Sequence, residues 1–178
     1  QESLGADIIM ALDECPAHDD SLEKVKTAME RTHRWAERCL KAQKRPDQAL
    51  YAIVQGGISP ELRRQSAEYL ASLDFPGYAI GGLSIGEPKK VTLAMIEETV
   101  AWLPENKPRY LMGVGSPEDI VEAVARGIDM FDSALPTRVA RNGALFTWQG
   151  RRSIGNAAYS QMEQPIVPGC DCYTCRNF

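Results

Sequence analysis

Apolar runs of strand length alternate with amphipathic helical segments along most of this chain, and that alternation constrains the fold more than any other feature. A continuous apolar run predicts a strand buried on both faces, whereas a repeat of about 3.6 residues predicts a helix. Strands that alternate with helices are typical of a parallel sheet covered by its connecting helices. The predicted strands are Ala6–Leu12, Ala49–Val54, Gly77–Ile80, Arg109–Val114 and Ile128–Leu135. The predicted helices are Ser21–Gln43, Ser59–Leu73, Lys89–Leu103 and Ser116–Arg126.

Polar residues mark the starts of these helices. Asp20 is predicted to cap the first helix, because a glutamate follows three residues later at capping-box spacing. Ser59 is predicted to cap the second helix, where Pro60 suits the first turn. The dipeptide at 116–117 opens the fourth helix in the same way, and Gly127 closes it.

The pattern predicts part of a (β/α)8 TIM barrel, of the α/β class. About five strand–helix units are present, whereas a closed barrel of this kind has eight. The first strand starts almost at residue 1, so we expect the chain to begin in the middle of the fold. We assign residues 1–143 to this partial catalytic barrel. The segment ALFTWQGRRSIG then predicts a hairpin, and we assign residues 144–178 to an incomplete zinc-binding subdomain.

Three cysteines near the C-terminus predict a zinc site. Cys170, Cys172 and Cys175 form a C-x-C-x-x-C pattern. Cysteines this close cannot pair without strain and their number is odd, so shared zinc ligation is the better interpretation. A closed structural zinc site needs a fourth ligand. Because His18 lies in a polar linker and His33 in the middle of a helix, we expect that ligand outside this chain.

Composition excludes some classes of protein. The hydrophobic fraction of 44% and the charged fraction of 25% are ordinary for a globular domain. No apolar run approaches the ~20 residues of a membrane span and no secretory signal is visible, so we expect no membrane association and a cytoplasmic location. From Arg138 onward five arginines accompany two acidic residues, giving that tail +3 within a chain of net charge −4. A basic patch on an acidic body favours local nucleic-acid binding over bulk coating.

Polar and glycine residues follow the predicted strands, at the edge where TIM-barrel enzymes carry their catalytic groups. Asp13, Gln55 and Gly82 could together read guanine, since a carboxylate accepts from its N–H edge while amide N–H groups donate to its carbonyl. Asp132 ends the last apolar run and precedes the arginines, so it could attack or stabilise a cation beside bound phosphates. The alternative is that each of these residues only caps or turns the chain.

Several ordered segments resemble the bacterial tRNA-guanine transglycosylase (queuine tRNA-ribosyltransferase) family, and the resemblance runs over essentially the whole chain. They are ADIIMALDEC, MERTHRWAERC, VQGG, LDFPGYAIGGLSIGEP, KPRYLMGVGSPEDI, GIDMFDSALPTRVARNG and CDCYTCRNF. The resemblance implies a (β/α)8 barrel with an inserted zinc subdomain. It implies exchange of the wobble guanine of tRNA for a 7-deazaguanine through a covalent enzyme–ribose bond. The implied partners are the tRNA anticodon loop and the 7-deazaguanine base, and the implied full-length assembly is a homodimer.

The resemblance also assigns roles to residues of this sequence. Asp132 matches the nucleophile, and Ser133 replaces the cysteine that commonly follows it. The base pocket corresponds to Asp13, Gln55, Gly82, Leu83, Tyr110 and Met112. The anticodon-loop contacts correspond to Asp119, Arg138 and Arg141. The zinc ligands correspond to Cys170, Cys172 and Cys175, with a histidine as the fourth.

Two details refine these expectations. The family's second catalytic aspartate would precede residue 1, so this chain alone is not expected to turn over. Cys15 and Ile85 match the bacterial pattern, which favours 7-aminomethyl-7-deazaguanine as the incoming base. Two alternatives stay open: a non-catalytic tRNA-binding partner subunit, which the intact Asp132 segment disfavours, and a phosphate-binding barrel enzyme, which the cysteines and arginines disfavour.

Overall fold

The computed structural model describes residues 1–177, which fall into two compact units. The first unit is Gln1–Ser133, and it has the predicted α/β class. Its five-stranded parallel sheet curls into half of a barrel, which confirms the prediction of a partial (β/α)8 fold. The strands lie side by side in sequence order: β1 (Ile8–Met10), β2 (Ala49–Val54), β3 (Gly77–Ile80), β4 (Arg109–Leu111) and β5 (Met130–Phe131).

A helix follows each of the first four strands. The helices of this unit are α1 (Leu22–Ala42), α2 (Pro60–Ser72), α3 (Lys89–Val100) and α4 (Pro117–Val124). Ser59 and Ser116 cap α2 and α4 through their hydroxyl groups, as the sequence predicts. The predicted cap of α1 is wrong by one residue: Ser21 accepts from the Lys24 N–H. Asp20 instead accepts from the Ala17 N–H and forms an ion pair with the Lys24 ammonium group.

The two faces of the sheet have different partners. Alternate strand residues, among them Val54, Ile80 and Leu111, are buried against apolar residues of the helices. The intervening residues point to the concave side, where the Tyr51 hydroxyl lies 3.8 Å from the Met130 sulfur. The register pairs Val54 with Ile80, so consecutive strands end at nearly the same level. Side chains that follow the strands therefore gather at one rim.

The second unit, which begins at Ala134, contains a helix that the sequence did not predict. The fifth strand was expected to reach Leu135, and no helix was predicted after it. That expectation is wrong, since β5 ends at Phe131 and α5 covers Leu135–Arg141. Its two arginines lie in the last turn, where the helix dipole favours cations.

The predicted hairpin is present in the second unit. Strands β6 (Ala144–Thr147) and β7 (Gly150–Ser153) pair antiparallel, and a short helix α6 (Tyr173–Asn177) follows near the cysteines. The domain boundary expected between residues 143 and 144 stays a prediction, because the compact units divide after Ser133. Within residues 1–177, no helix is both long and apolar enough to cross a bilayer.

Candidate functional site

Five parallel strands end at one rim of the curled sheet, and the polar residues singled out in the sequence follow them there. Asp13 lies in the loop after β1, Gln55 directly after β2 and Gly82 after β3. Tyr110 lies on β4, and Asp132 directly follows β5. We call these five residues the strand-end cluster. Two groups of hydrogen bonds organise it, one around Asp13 and one around Asp132.

Asp13 and Gln55 contact each other directly. The Gln55 amide nitrogen donates to a carboxylate oxygen of Asp13 at 2.7 Å. Gln55 is fully buried, and within the described residues its carbonyl oxygen Oε1 has no hydrogen-bond partner. A buried acceptor without a donor costs free energy that a bound polar ligand could recover. This half of the cluster therefore offers carboxylate and amide groups to a flat polar ligand.

Gly82 is a glycine for a geometric reason. Its backbone adopts a φ of 68°, in the left-handed region that other residues rarely occupy. A Cβ atom at this position would lie 2.3 Å from Oε1 of Gln55, closer than any real contact. Gly82 thus lets the backbone of the β3 loop approach the Gln55 amide closely. Leu83, which follows it, is buried.

Hydrogen bonds fix the loop after β1, which contains Asp13, and the loop after β3, which contains Gly82. The Glu14 N–H donates to the Thr32 hydroxyl at 2.9 Å, which fixes the β1 loop to α1. Glu87 accepts from the Ile85 N–H at 3.1 Å and from the Thr92 hydroxyl at 2.5 Å. Although burial opposes the shift, these bonds lower the pKa of Glu87, so it stays ionised. The β3 loop therefore has an internal anchor that the sequence reading missed.

Asp132 is held through one of its two oxygens. Its Oδ1 accepts from the Tyr110 hydroxyl at 2.5 Å and from the Gly113 N–H at 2.8 Å. Both of these hydrogen bonds go to the same carboxylate oxygen. Desolvation and the bond to Asp132 raise the pKa of Tyr110, so the tyrosine stays a donor at neutral pH. The Asp132 residue is exposed, and an exposed carboxylate that is fixed through one oxygen is suited to nucleophilic attack.

Arg63 is a charged residue that sequence reasoning missed. It lies on the buried face of α2, and its guanidinium donates four hydrogen bonds to backbone carbonyls beside the cluster. Burial lowers its pKa to about 10, which still leaves it protonated at neutral pH. Its position in the same register as Ala67 and Leu70 was a signal that could have revealed it.

The remaining predicted residues lie outside the cluster or at its edge. Met112 follows β4 and is half-buried. Asp119 lies in the first turn of α4, where it accepts from the Ser116 hydroxyl at 2.6 Å and pairs with Lys89 at 2.5 Å. Arg138 and Arg141 are exposed in the second unit. Neither has a carboxylate partner within 4.0 Å in the part of the chain that the structure describes, so both are available to an anion.

The three C-terminal cysteines converge. The sulfur atoms of Cys170, Cys172 and Cys175 all lie within 4.8 Å of one another. Thiolates sharing a tetrahedral zinc at about 2.3 Å would be separated by roughly 3.8 Å, so the donor set fits that ion. Across residues 1–177, no fourth histidine, cysteine or carboxylate joins this group. These three cysteines could therefore supply three ligands of a zinc site.

Comparison with known proteins gives one consistent family. A family model for queuine tRNA-ribosyltransferase matches residues 1–178. A queuine tRNA-ribosyltransferase from Dehalococcoides mccartyi strain CBDB1 is 64% identical over 178 residues, covering all of this chain and 45% of that protein. Proteins of the same name from Moorella thermoacetica and Geobacillus kaustophilus are 58% and 60% identical, with 48% and 47% of their lengths covered. The chain spans about half the length of the curated relatives it matches.

Proposed function

Because this chain belongs to the queuine tRNA-ribosyltransferase family, we propose that the intact protein exchanges guanine at the tRNA wobble position for 7-aminomethyl-7-deazaguanine. The protein would then be a glycosyltransferase of queuosine biosynthesis. We further propose that it acts in the cytoplasm and as a homodimer. The observation that carries the proposal is the geometry of Asp132. Tyr110 and Gly113 fix one of its oxygens, and the residue is exposed at the rim where the strands end.

Asp132 acts as the nucleophile of a double displacement. Its carboxylate oxygen attacks the anomeric carbon of the wobble ribose, an ester bond forms, and the bond from that carbon to N9 of guanine breaks with its electron pair leaving on the base. The incoming 7-deazaguanine then attacks the same carbon through its N9, releases the N9 proton to solvent and expels the Asp132 carboxylate. Two inversions at one carbon retain the configuration, as in retaining glycosidases. Tyr110 and Gly113 orient the Asp132 carboxylate for the attack on ribose.

Asp13, Gln55 and Gly82 read the base. Asp13 accepts from the ring N–H and the exocyclic amine, while Gln55 and the Gly82 N–H donate to the carbonyl side. One N–H of the Gln55 amide donates to Asp13 in this structure, and the amide nitrogen carries a second N–H that can donate to the base. Leu83 offers its backbone carbonyl to the aminomethyl arm of the incoming base, with Tyr110 and Met112 as walls. Together these groups distinguish a guanine-like ring from other bases.

The second unit serves the RNA. Arg138 and Arg141 bind phosphates of the anticodon loop, and Asp119 contacts the same loop from α4. Cys170, Cys172 and Cys175 would hold a structural zinc ion, which ties the segment after the hairpin into a folded unit. The fourth ligand is a residue outside residues 1–177.

Base exchange into a tRNA anticodon stem-loop tests the proposal. The intact protein should incorporate radiolabelled guanine at the wobble position and release it again when 7-aminomethyl-7-deazaguanine is added. Stem-loop binding without incorporation would instead identify a non-catalytic partner subunit. If the protein neither binds the stem-loop nor incorporates guanine, that result would favour an unrelated phosphate-binding barrel enzyme.

A further inference from the structure

The Arg63 guanidinium lies behind the rim of the sheet, on the helix side of the β2 and β3 ends. Nε donates to the Gly57 carbonyl at 2.8 Å, and Nη1 donates to the carbonyls of Val54 at 3.1 Å and Gly81 at 2.8 Å. Nη2 donates to the Gly82 carbonyl at 3.2 Å. The side chain thus joins the segments that carry Gln55 and Gly82.

Among residues 1–177 no carboxylate pairs directly with this buried charge, and Glu87 acts on it only from a longer distance. Arg63 is 0% exposed, and within residues 1–177 no carboxylate lies within 4.0 Å of it. A buried cation is costly unless its donors are satisfied, and here the four carbonyls alone satisfy it. The guanidinium uses four of its five donors in this way.

Peptide geometry links these bonds to the other side of the β3 loop. Residues 1–177 contain no cis peptide bonds, so each carbonyl points opposite to the N–H of the same peptide unit. Since the Gly81 and Gly82 carbonyls point toward Arg63, the N–H groups of Gly82 and Leu83 point away from it.

We propose that Arg63 is a positioning residue for base recognition. It holds the Gly81 and Gly82 carbonyls on the helix side and thereby aims the Gly82 and Leu83 N–H groups at the carbonyl edge of the bound base. This inference rests on the proposed function, in which Gly82 reads the base. Lysine cannot replace arginine here, because its ammonium group is a point donor that does not span carbonyls from two strands.

Arg63→Lys in the intact protein tests the proposal, with Arg64→Lys as the matched control. Arg64 is the next residue of α2, but it is exposed and pairs with Glu68 at 3.2 Å. Arg63→Lys should raise both the dissociation constant of guanine and its KM at least tenfold, while tRNA affinity and kcat at saturating guanine change less than threefold. The control should match the wild type. A merely structural defect would lower tRNA affinity and kcat as well.

A base analogue distinguishes a defect at the carbonyl edge of the base, which Arg63 affects, from a defect at the amine edge, which Asp13 reads. Hypoxanthine keeps the carbonyl of guanine but lacks its exocyclic amine. Because the Gly82 and Leu83 N–H groups are aimed at the carbonyl, Arg63→Lys should weaken guanine and hypoxanthine by the same factor. Unchanged guanine binding in a folded Arg63→Lys protein overturns the positioning role and leaves the proposed function intact. Failure of the wild type to exchange guanine overturns the proposed function itself.

Hydrogen exchange on the wild-type protein tests the proposal even if Arg63→Lys does not fold. Saturating guanine should slow exchange of the Gly82 and Leu83 amides at least tenfold, while the Gly5 amide, remote from the rim, keeps its rate. Unchanged exchange at Gly82 and Leu83 with guanine bound would show that these N–H groups do not contact the base. That result would refute the role given to Arg63.

Discussion

Gly82→Ala should disrupt the part of the strand-end cluster formed by Asp13, Gln55 and Gly82, and the structure allows the size of the effect to be worked out. The residue has a φ of 68°, and its added Cβ would lie 2.3 Å from Oε1 of Gln55. Gln55 is fully buried, so its amide cannot swing into solvent. Gly5 provides the matched control, because its φ is 74° and its added Cβ would meet only Arg45 at an ordinary 3.5 Å.

Two contributions determine how far each substitution lowers the free energy of unfolding. A left-handed alanine costs ~1–2 kcal/mol at either position, and the gain from a less flexible unfolded chain is also common to both. Only Gly82→Ala additionally displaces Gln55 from Asp13. The hydrogen bond lost in this way has a charged acceptor and contributes ~1.5–3 kcal/mol. Gly82→Ala should therefore lower the free energy of unfolding by ~1.5–3 kcal/mol more than Gly5→Ala does.

Urea unfolding at pH 7, with the midpoint and slope fitted together, gives the free energy of unfolding of both variants and of the wild type. Guanine titration on the same samples should show at least a tenfold weaker dissociation constant for Gly82→Ala and no change for Gly5→Ala. Equal losses of unfolding free energy in the two variants would refute the reasoning. They would mean that the Gln55 amide is not held against the Gly82 backbone.

Three further predictions concern the base, pH and the metal. Asp13→Ala should weaken guanine binding at least about tenfold, since unpaired donors cost ~1–3 kcal/mol, whereas Asp19→Ala in the adjacent linker should not; an unchanged KM for guanine would make Asp13 a turn residue only. Burial lowers the pKa of His33 from 6.5 to about 4, so below pH 6.5 the unfolded chain binds the proton first. The free energy of unfolding should then fall by about 2 kcal/mol from pH 7 to pH 5, and His33→Gln should remove this component; an unaltered pH dependence in His33→Gln would contradict the assignment. Metal analysis of the full-length protein should find about one zinc per chain, lost in Cys172→Ser, and a zinc-free protein would remove the metal interpretation.

The sequence predicted the strands of the half-barrel because they are continuous apolar runs, which leave little choice of structure. It predicted Gly77–Ile80 with the bounds that the structure has, since Pro76 and Gly81 bracket the run. It also indicated that Asp13 and Gln55 would follow neighbouring strands, and the structure brings them into contact. Their roles toward a base stay predictions.

Other features carried too weak a signal. Helix α5 has seven residues and buries only Val139, so it shows no apolar repeat. Arg63 was overlooked because a charged residue on an amphipathic helix is ordinarily assigned to the solvent side, and only its register with Leu70 indicates otherwise. The Gly113 N–H that holds Asp132 is a backbone group, and its direction is set by the turn after β4 rather than by a side chain.

The central claim is that Asp132 forms the covalent bond to ribose, and trapping of the RNA adduct tests it most directly. Asp132→Asn keeps the shape of the side chain but removes its anionic oxygen. Asp129→Asn is the matched control, because Asp129 lies on the same segment and only accepts from the Arg109 N–H at 2.8 Å, which an asparagine oxygen can also do. On denaturing gels of the intact protein with a tRNA stem-loop, the adduct should vanish in Asp132→Asn and persist in Asp129→Asn. An undiminished adduct in Asp132→Asn would contradict the claim.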